Sequence, residues 1–341
     1  MNLTVHQVER IKELLNQGRH NILILTHRNP DGDAIGASLA LYNLFLKMGH
    51  IVDVLIPNKL PDFLKWMKHA DSIHIYSNKQ KKSIELIKNA TLIFALDFND
   101  ISRIDDFKSH VVDSNAYKIL IDHHPDPGDH ADLIISQTAV SSTAELVYSF
   151  IQLMSLTEYI DTDIAECIYC GIMTDTGCFS FNSSYPETFQ SVAELMNYGI
   201  KKDKIYDLVY DNFSYNRMRL MGYCLDKKMK HIKDYHTAYI SLSQKELKDY
   251  NFKTGDSEGF VNLPLSIEGV QFSALFIEKK NMVKVSLRSK GDFAVNTIAA
   301  EYFNGGGHEN ASGGESYDSL EKTVDKFVNL LPKFKNDLLG A

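Results

Sequence analysis

Three apolar, strand-like runs each end in side chains able to hold a divalent cation, and a helical run supplies one more. The run 21–26 leads into His27, Asp31 and Asp33; the run 91–96 leads into Asp97; the run 116–121 leads into Asp122, His123 and His124; and the segment 170–177 carries Asp175. Open α/β sheets gather their working groups in the crevice beyond the carboxyl ends of parallel strands, so residues distant in sequence would meet there.

Taken singly, each group has an ordinary reading. Asp31-Gly32-Asp33 could be no more than a turn and a helix cap, although Gly32 also lets two carboxylates diverge. Asp97 closes a buried run, and an isolated buried charge is very costly, so it must reach solvent, pair with nearby Arg103, or bind a cation. Two adjacent imidazoles behind the strand-terminal Asp122 are harder to dismiss, because imidazole is the commonest metal-binding side chain and needs a carboxylate to orient it. Asp175 ends a helical run, where the helix dipole disfavours an acid unless a cation sits nearby.

The conjunction of His27, Asp31, Asp33, Asp97, His123 and Asp175 is far more specific than any member. Mixed carboxylate and imidazole ligands suit Mn²⁺, with Fe²⁺, Co²⁺ and Zn²⁺ as competitors. The set exceeds what one ion with open positions would use. Two ions about 3.5–4 Å apart, sharing a carboxylate, could hold both a hydroxide and a departing phosphate oxygen. That chemistry is phosphoester or phosphoanhydride hydrolysis.

A second constellation lies near the C-terminus, where five glycines fall within the eleven residues from Asn304 to Gly314. Such a backbone either turns freely or aims successive N–H groups at an anion, with His308 adding a donor. Arg288, on a preceding strand-like run, suits bidentate phosphate contact or an ordinary surface ion pair.

These residues need a scaffold that aligns strand ends. Helical and strand-like segments alternate through the first half: an amphipathic stretch 5–15, strands near 21–26, 51–56, 73–76, 92–96 and 118–121, and a helix near 34–47. The alternation predicts an α/β fold, a mostly parallel sheet with helices on both faces. From about Ser141 to Met229 the pattern is almost wholly helical, a helical flank leading into a linker. Strand signals return within 237–289, with helical patterns near 293–303 and 318–334, predicting a smaller α+β domain. The expected divisions are 1–200, a linker 201–230, and 231–341.

A chain of 341 residues with 44% apolar content can bury two such cores. Its net charge of −8 argues against long duplex nucleic acid, whose phosphates demand a dense basic surface, but leaves short or small phosphorylated ligands open. No apolar stretch approaches the roughly 18 residues of a membrane span, and no signal-peptide pattern opens the chain, so no membrane association and a cytoplasmic location are expected. Four cysteines make no disulfide framework, and Cys167-x-x-Cys170 lies inside a helical pattern with no second pair to complete a zinc site, so these thiols are expected to be buried.

The combination of H-x-x-x-D-x-D (27–33), strand-end Asp97, D-H-H (122–124), Asp175 and G-G-G-H (305–308) resembles the DHH/DHHA1 phosphoesterases, over essentially the whole chain. Within them it is most similar to the compact oligoribonuclease (nanoRNase) and 3′-phosphoadenosine 5′-phosphate (pAp) phosphatase group. The resemblance implies two Mn²⁺ ions, one held by His27, Asp31 and Asp97, the other by Asp33, Asp97, His123 and Asp175, with Asp97 as the bridge. It implies that Asp122 orients the histidines and that His124 faces the scissile phosphate. Gly306, Gly307, His308 and Arg288 would hold the substrate's terminal phosphate or nucleotide across an interdomain cleft, with Asn310 and Ser312 as weaker candidates.

The implied substrates are short 5′-phosphorylated RNA oligonucleotides, pAp, or both. A stand-alone phosphodiesterase of c-di-AMP or pApA is the alternative enzyme, and a non-catalytic nucleotide-binding protein the alternative of another class. A homodimer is left open.

Overall fold

The central strands of the first half are mostly apolar because both of their faces are covered, the signature of a parallel sheet inside helices. The computed structural model describes residues 3–340 and divides into two units, Met1–Asn212 and Phe213–Ala341. In the first unit, β1 (Asn21–Thr26), β2 (Ile51–Ile56), β3 (His74–Ile75), β4 (Leu92–Leu96), β5 (Tyr117–Asp122) and β6 (Leu133–Ser136) form one sheet, ordered β3-β2-β1-β4-β5-β6. Every pairing in it is parallel.

Successive residues of β1 point to opposite faces, as pleating requires. Ile22 and Ile24 join one core with Ile35, Leu39, Phe150 and Ile168, while Leu23 and Leu25 join another with Ile87, Phe107 and Val111. The helices that cover the sheet are α1 (Val5–Asn16), α2 (Gly32–Lys47), α3 (Gln80–Asn89), α4 (Lys108–Val112), α5 (Thr143–Leu153), α6 (Thr162–Asp175), α7 (Pro186–Met196) and α8 (Lys202–Tyr210). The strand order reverses between β1 and β4, and a doubly wound sheet binds its ligands beyond the strand ends at that point.

The second unit begins with α9 (Tyr215–Tyr223). Its sheet contains β7 (Met229–Ile232) and β8 (Thr237–Leu242), then, after α10 (Gln244–Asp249), β9 (Phe272–Glu278) and β10 (Val283–Ser289). After α11 (Val295–Tyr302) come β11 (Gly306–His308) and β12 (Ala311–Ser316), followed by α12 (Leu320–Leu330) and α13 (Lys335–Gly340). The order is β11-β12-β10-β9-β8-β7, parallel at β8/β9 and antiparallel elsewhere. Phe272, Phe276 and Phe327 pack together in its core, with ring centroids 5.2–5.3 Å apart.

The fold is the α/β architecture with a parallel first sheet and a smaller mixed second domain that the patterning predicted. The stretch 201–230, expected as a helical linker, is divided instead. Ile205 and Val209 of α8 pack into the first unit's core, whereas Leu220 of α9 and Cys224 pack into the second's. β6, β7, β11 and β12 had no strand expectation. Cys167 and Cys170 are buried and unbridged, and burial pushes both thiols up in pKa, as suits structural groups. No helix among the described residues is long and apolar enough to cross a membrane.

Candidate active site

β1 delivers His27 and, through a short loop, Asp31 and Asp33 at the start of α2. Asp31 caps that helix: its Oδ1 accepts from the N–H groups of Asp33 and Ala34, at 3.1 and 3.0 Å, as an N-cap carboxylate does. Asp33, the second residue of α2, is buried. Gly32 has no room for a side chain, because Thr174 of α6 occupies the position a Cβ would take.

β4 delivers Asp97, whose φ of +64° is left-handed, a conformation that costs a non-glycine residue about 1–3 kcal/mol and collects at functional sites. The Asp97 N–H continues the ladder to the Ile121 carbonyl, at 3.1 Å, and its carboxylate is buried. Oδ2 lies 3.3 Å from His27 Nε2, and Oδ1 lies 3.6 Å from His123 Nε2 and 3.8 Å from His124 Nδ1. Its two oxygens therefore address two different sets of groups. Among the described residues, the side chains that meet this buried acid are the His27, His123 and His124 imidazoles and the Thr143 hydroxyl.

β5 delivers Asp122, His123 and His124. His124 Nδ1 lies 2.7 Å from Asp122 Oδ1, while Asp122 Oδ2 is buried without a hydrogen bond. His123 Nε2 stands among three carboxylates, 3.5 Å from Asp175, 3.6 Å from Asp97 and 3.9 Å from Asp33. Asp175 is the last residue of α6. Potential ligand atoms of His27, Asp31 and Asp97 all lie within 4.8 Å of one another, and so do those of Asp33, His123 and Asp175.

Several features fit a divalent cation. His27 Nδ1 sits 2.8 Å from the Arg28 carbonyl, which can only accept, so Nδ1 carries a proton and Nε2 is the ring atom turned toward Asp97. Burial, then Asp97, Asp175 and Asp31, drive the Asp33 pKa well up, the mark of an acid confined among like charges without a neutralising ion. Burial would likewise raise Asp97, but the His27 hydrogen bond and the charges of His124 and His27 overcome it and hold this carboxyl well below its usual range. Burial opposes the charge on His124, yet the Asp122 hydrogen bond and the Asp97 charge lift it to about 9.

Sequence reasoning passed over α5. Its first two backbone N–H groups grip Asp33, Thr143 N–H to Oδ2 at 2.7 Å and Ala144 N–H to Oδ1 at 2.8 Å, and the Thr143 hydroxyl donates to Asp97 Oδ1 at 2.8 Å. Buried Glu145 secures the loop before them, accepting from Ser141 N–H at 3.0 Å and from the Thr188 hydroxyl of α7 at 2.8 Å. The only local signal was the Ser-Ser-Thr-Ala-Glu start of a helix.

In the second unit the glycine-rich segment is an edge hairpin: Gly306, Gly307 and His308 pair with Gly313, Ser312 and Ala311. Gly307, at φ +137°, and Gly305, whose Cβ would overlap the Gly313 carbonyl, admit no other residue without strain. Gly306 and Gly307 are exposed. Arg288 lies on the neighbouring strand, its Nη1 donating to the Leu287 carbonyl at 2.9 Å. Asn310 and Ser312 are engaged inside the hairpin, the Asn310 amide donating to Gly291 at 2.8 Å and the Ser312 hydroxyl to His308 at 2.7 Å, both to carbonyls.

The chain matches the family model described as "DHH family, N-terminal domain" over residues 21–172 and the "DHHA1 domain" over residues 234–337. It is 33% identical to the "Bifunctional oligoribonuclease and PAP phosphatase NrnA" of Thermus thermophilus, across 89% of this chain and 86% of that one. To the "Probable bifunctional oligoribonuclease and PAP phosphatase NrnA" of Streptococcus mutans it is 30% identical, across 91% and 93%. A crystal structure of an "exopolyphosphatase-related protein" from Bacteroides fragilis superposes with a TM-score of 0.94 at 45% identity, over 99% of this chain and 98% of that one. With both domain models matched in order and relatives aligned almost end to end, the chain belongs to the DHH family of phosphoesterases, metal-dependent hydrolases, and carries its DHHA1 domain.

Proposed function

We propose that this protein hydrolyses short 5′-phosphorylated oligoribonucleotides, pAp, or both, with two Mn²⁺ ions at the end of the first sheet. The observation that carries the reading is Asp97, buried and left-handed, with one oxygen toward His27 and the other toward His123 and His124. His27, Asp31 and Asp97 would hold one ion; Asp33, Asp97, His123 and Asp175 the other. When bound, the pair supplies charge neutralisation for the phosphoryl group and lowers the pKa of a water that serves as nucleophile.

The chain's own residues do the rest. The Asp122 carboxylate fixes the His124 ring through Nδ1, leaving Nε2 to donate to a phosphoryl oxygen. His27 is oriented through Nδ1 by the Arg28 carbonyl. Gly306, Gly307 and His308 present donors, and Arg288 a charge, to the terminal phosphate, so that the remote end of the substrate contributes to orientation. The names of the two NrnA relatives support this substrate class.

One Mn²⁺-dependent assay compares pAp, a 5′-phosphorylated RNA dinucleotide, pApA, c-di-AMP and pyrophosphate. Turnover of the first two above the others is expected. Preference for c-di-AMP or pApA would transfer the protein to the alternative phosphodiesterase reading, and no release from any substrate would leave a nucleotide-binding protein.

A further inference from the structure

We propose that Thr143 is a positioning residue that sets the geometry between the two carboxylates on which both proposed ion sites depend; the inference rests on the two-ion reading above. Thr143 is fully buried at the first position of α5 and serves two acids that reach the site from different elements, Asp33 from the start of α2 and Asp97 from the end of β4. Its N–H donates to Asp33 Oδ2 at 2.7 Å and its hydroxyl to Asp97 Oδ1 at 2.8 Å. Among the described residues the Thr143 hydroxyl is the side-chain donor that reaches Asp97 from outside the imidazole set, so it is what settles the rotation of the carboxylate.

That rotation matters because Asp97 is divided between partners. Donation to Oδ1 turns Oδ2 toward His27 while Oδ1 remains within 3.6 Å of His123. Without the hydroxyl, a residue already in a left-handed backbone has no neutral donor holding its carboxylate. The electrostatics agree in sign: a hydroxyl donor favours the charged form of a buried acid without adding a charge of its own. Outer hydrogen-bond partners of metal ligands are worth about 10- to 100-fold in metal affinity or activity.

The support behind Thr143 makes it rigid. The Ser142 hydroxyl caps α5 through the Glu145 N–H, at 3.1 Å, and the Glu145 carboxylate ties the preceding Ser141 to Thr188 of α7. The Thr143 donor is thus anchored to α5 and α7 rather than to α2 or β4, whose acids it holds. It fixes the two acids relative to one another, which neither α2 nor β4 can do alone.

The test compares wild type with Thr143→Val, which keeps shape and loses the donor, and Thr143→Ser, which keeps the donor. Mn²⁺ affinity is read from the paramagnetic resonance signal of the free ion, alongside kcat and KM for pAp and the melting temperature in EDTA. Thr143→Val is expected to bind Mn²⁺ about 10- to 100-fold more weakly and to lose kcat by a similar factor, with KM changed less than about threefold. Thr143→Ser should stay within about threefold of wild type in each. Equal losses in Val and Ser variants, or wild-type Mn²⁺ affinity in Thr143→Val, would overturn the proposal. Should the Val variant fail to fold, the comparison of Thr143→Ser with Thr143→Ala reads the same donor. A wild-type protein that binds Mn²⁺ but hydrolyses nothing defeats the functional reading and leaves the affinity comparison to decide on Thr143.

Discussion

Gly36 on α2 and Gly171 on α6 touch backbone to backbone: a Cβ placed on Gly36 would stand 3.0 Å from the Gly171 nitrogen and 2.5 Å from the Cys167 carbonyl oxygen. A Cβ on Gly171 would in turn stand 3.0 Å from Asp33 Oδ1 and collide with Ala144. The closeness of these two helices is what lets Asp33, at the start of one, and Asp175, at the end of the other, approach the same imidazole of His123.

Gly36→Ala is therefore expected to separate the helices. Overpacking of this kind costs about 1–3 kcal/mol, and urea unfolding in EDTA should show it as a lower midpoint at unchanged slope. Mn²⁺ affinity should fall as well, because Asp33 and Asp175 meet beside His123 at one end of the contact. Unchanged stability would show that the interface relaxes freely.

Asp97→Gly should separate function from stability. Glycine adopts the φ of +64° without penalty, which offsets the loss of the carboxylate's contacts to the imidazoles and to Thr143, so the metal-free protein is expected to unfold in urea at a midpoint near that of wild type. Phosphate release should drop by at least about three orders of magnitude, since the carboxylate shared by both proposed ion sites is gone. Turnover near wild type would defeat the assignment of Asp97.

Glu246 makes the second unit sensitive to acid. Partial burial would raise its pKa, but the hydrogen bonds from Lys228, at 2.8 Å, the Ser243 backbone and the Tyr223 hydroxyl outweigh that and hold it at about 2. A depressed folded-state pKa means stability that is fully present above the unfolded value near 4.5 and lost as pH falls toward about 2. The contribution is on the order of 1 to 3 kcal/mol. Glu246→Gln should lower the urea midpoint at pH 7 and flatten its dependence between pH 5 and roughly 2; an equally steep dependence in the variant would assign the acid sensitivity elsewhere.

Arg288→Lys tests the second unit's part in binding. A lysine keeps the charge and loses the planar fork, so KM for pAp should rise about tenfold with kcat within about threefold. A loss confined to kcat would move Arg288 from binding to the chemical step.

Much of this molecule was legible before folding was considered. β1, β2 and β4 were expected at 21–26, 51–56 and 92–96 and span those residues, because strands buried on both faces are written as largely apolar runs. The same logic marked each chemistry-bearing residue: a carboxylate or imidazole that terminates such a run must either waste a buried charge or use it. β11 and β12 carried no such mark. Residues 306–316 are mostly glycine and polar groups, and they are strands only because β10 offers an edge to pair with.

What the chain alone determined, then, was which side chains end the strands and what chemistry their types allow, since pattern and composition are local properties. Tertiary structure decided the rest: the reversal of strand order that brings β1 beside β4, the left-handed turn that aims Asp97, the glycine contact that joins α2 to α6, and the use of Thr143 as a donor to two acids. Each depends on groups 46 to 135 residues apart meeting in space, as Thr143 meets Asp97 and Gly171 meets Gly36, and no periodicity in a sequence encodes such a meeting.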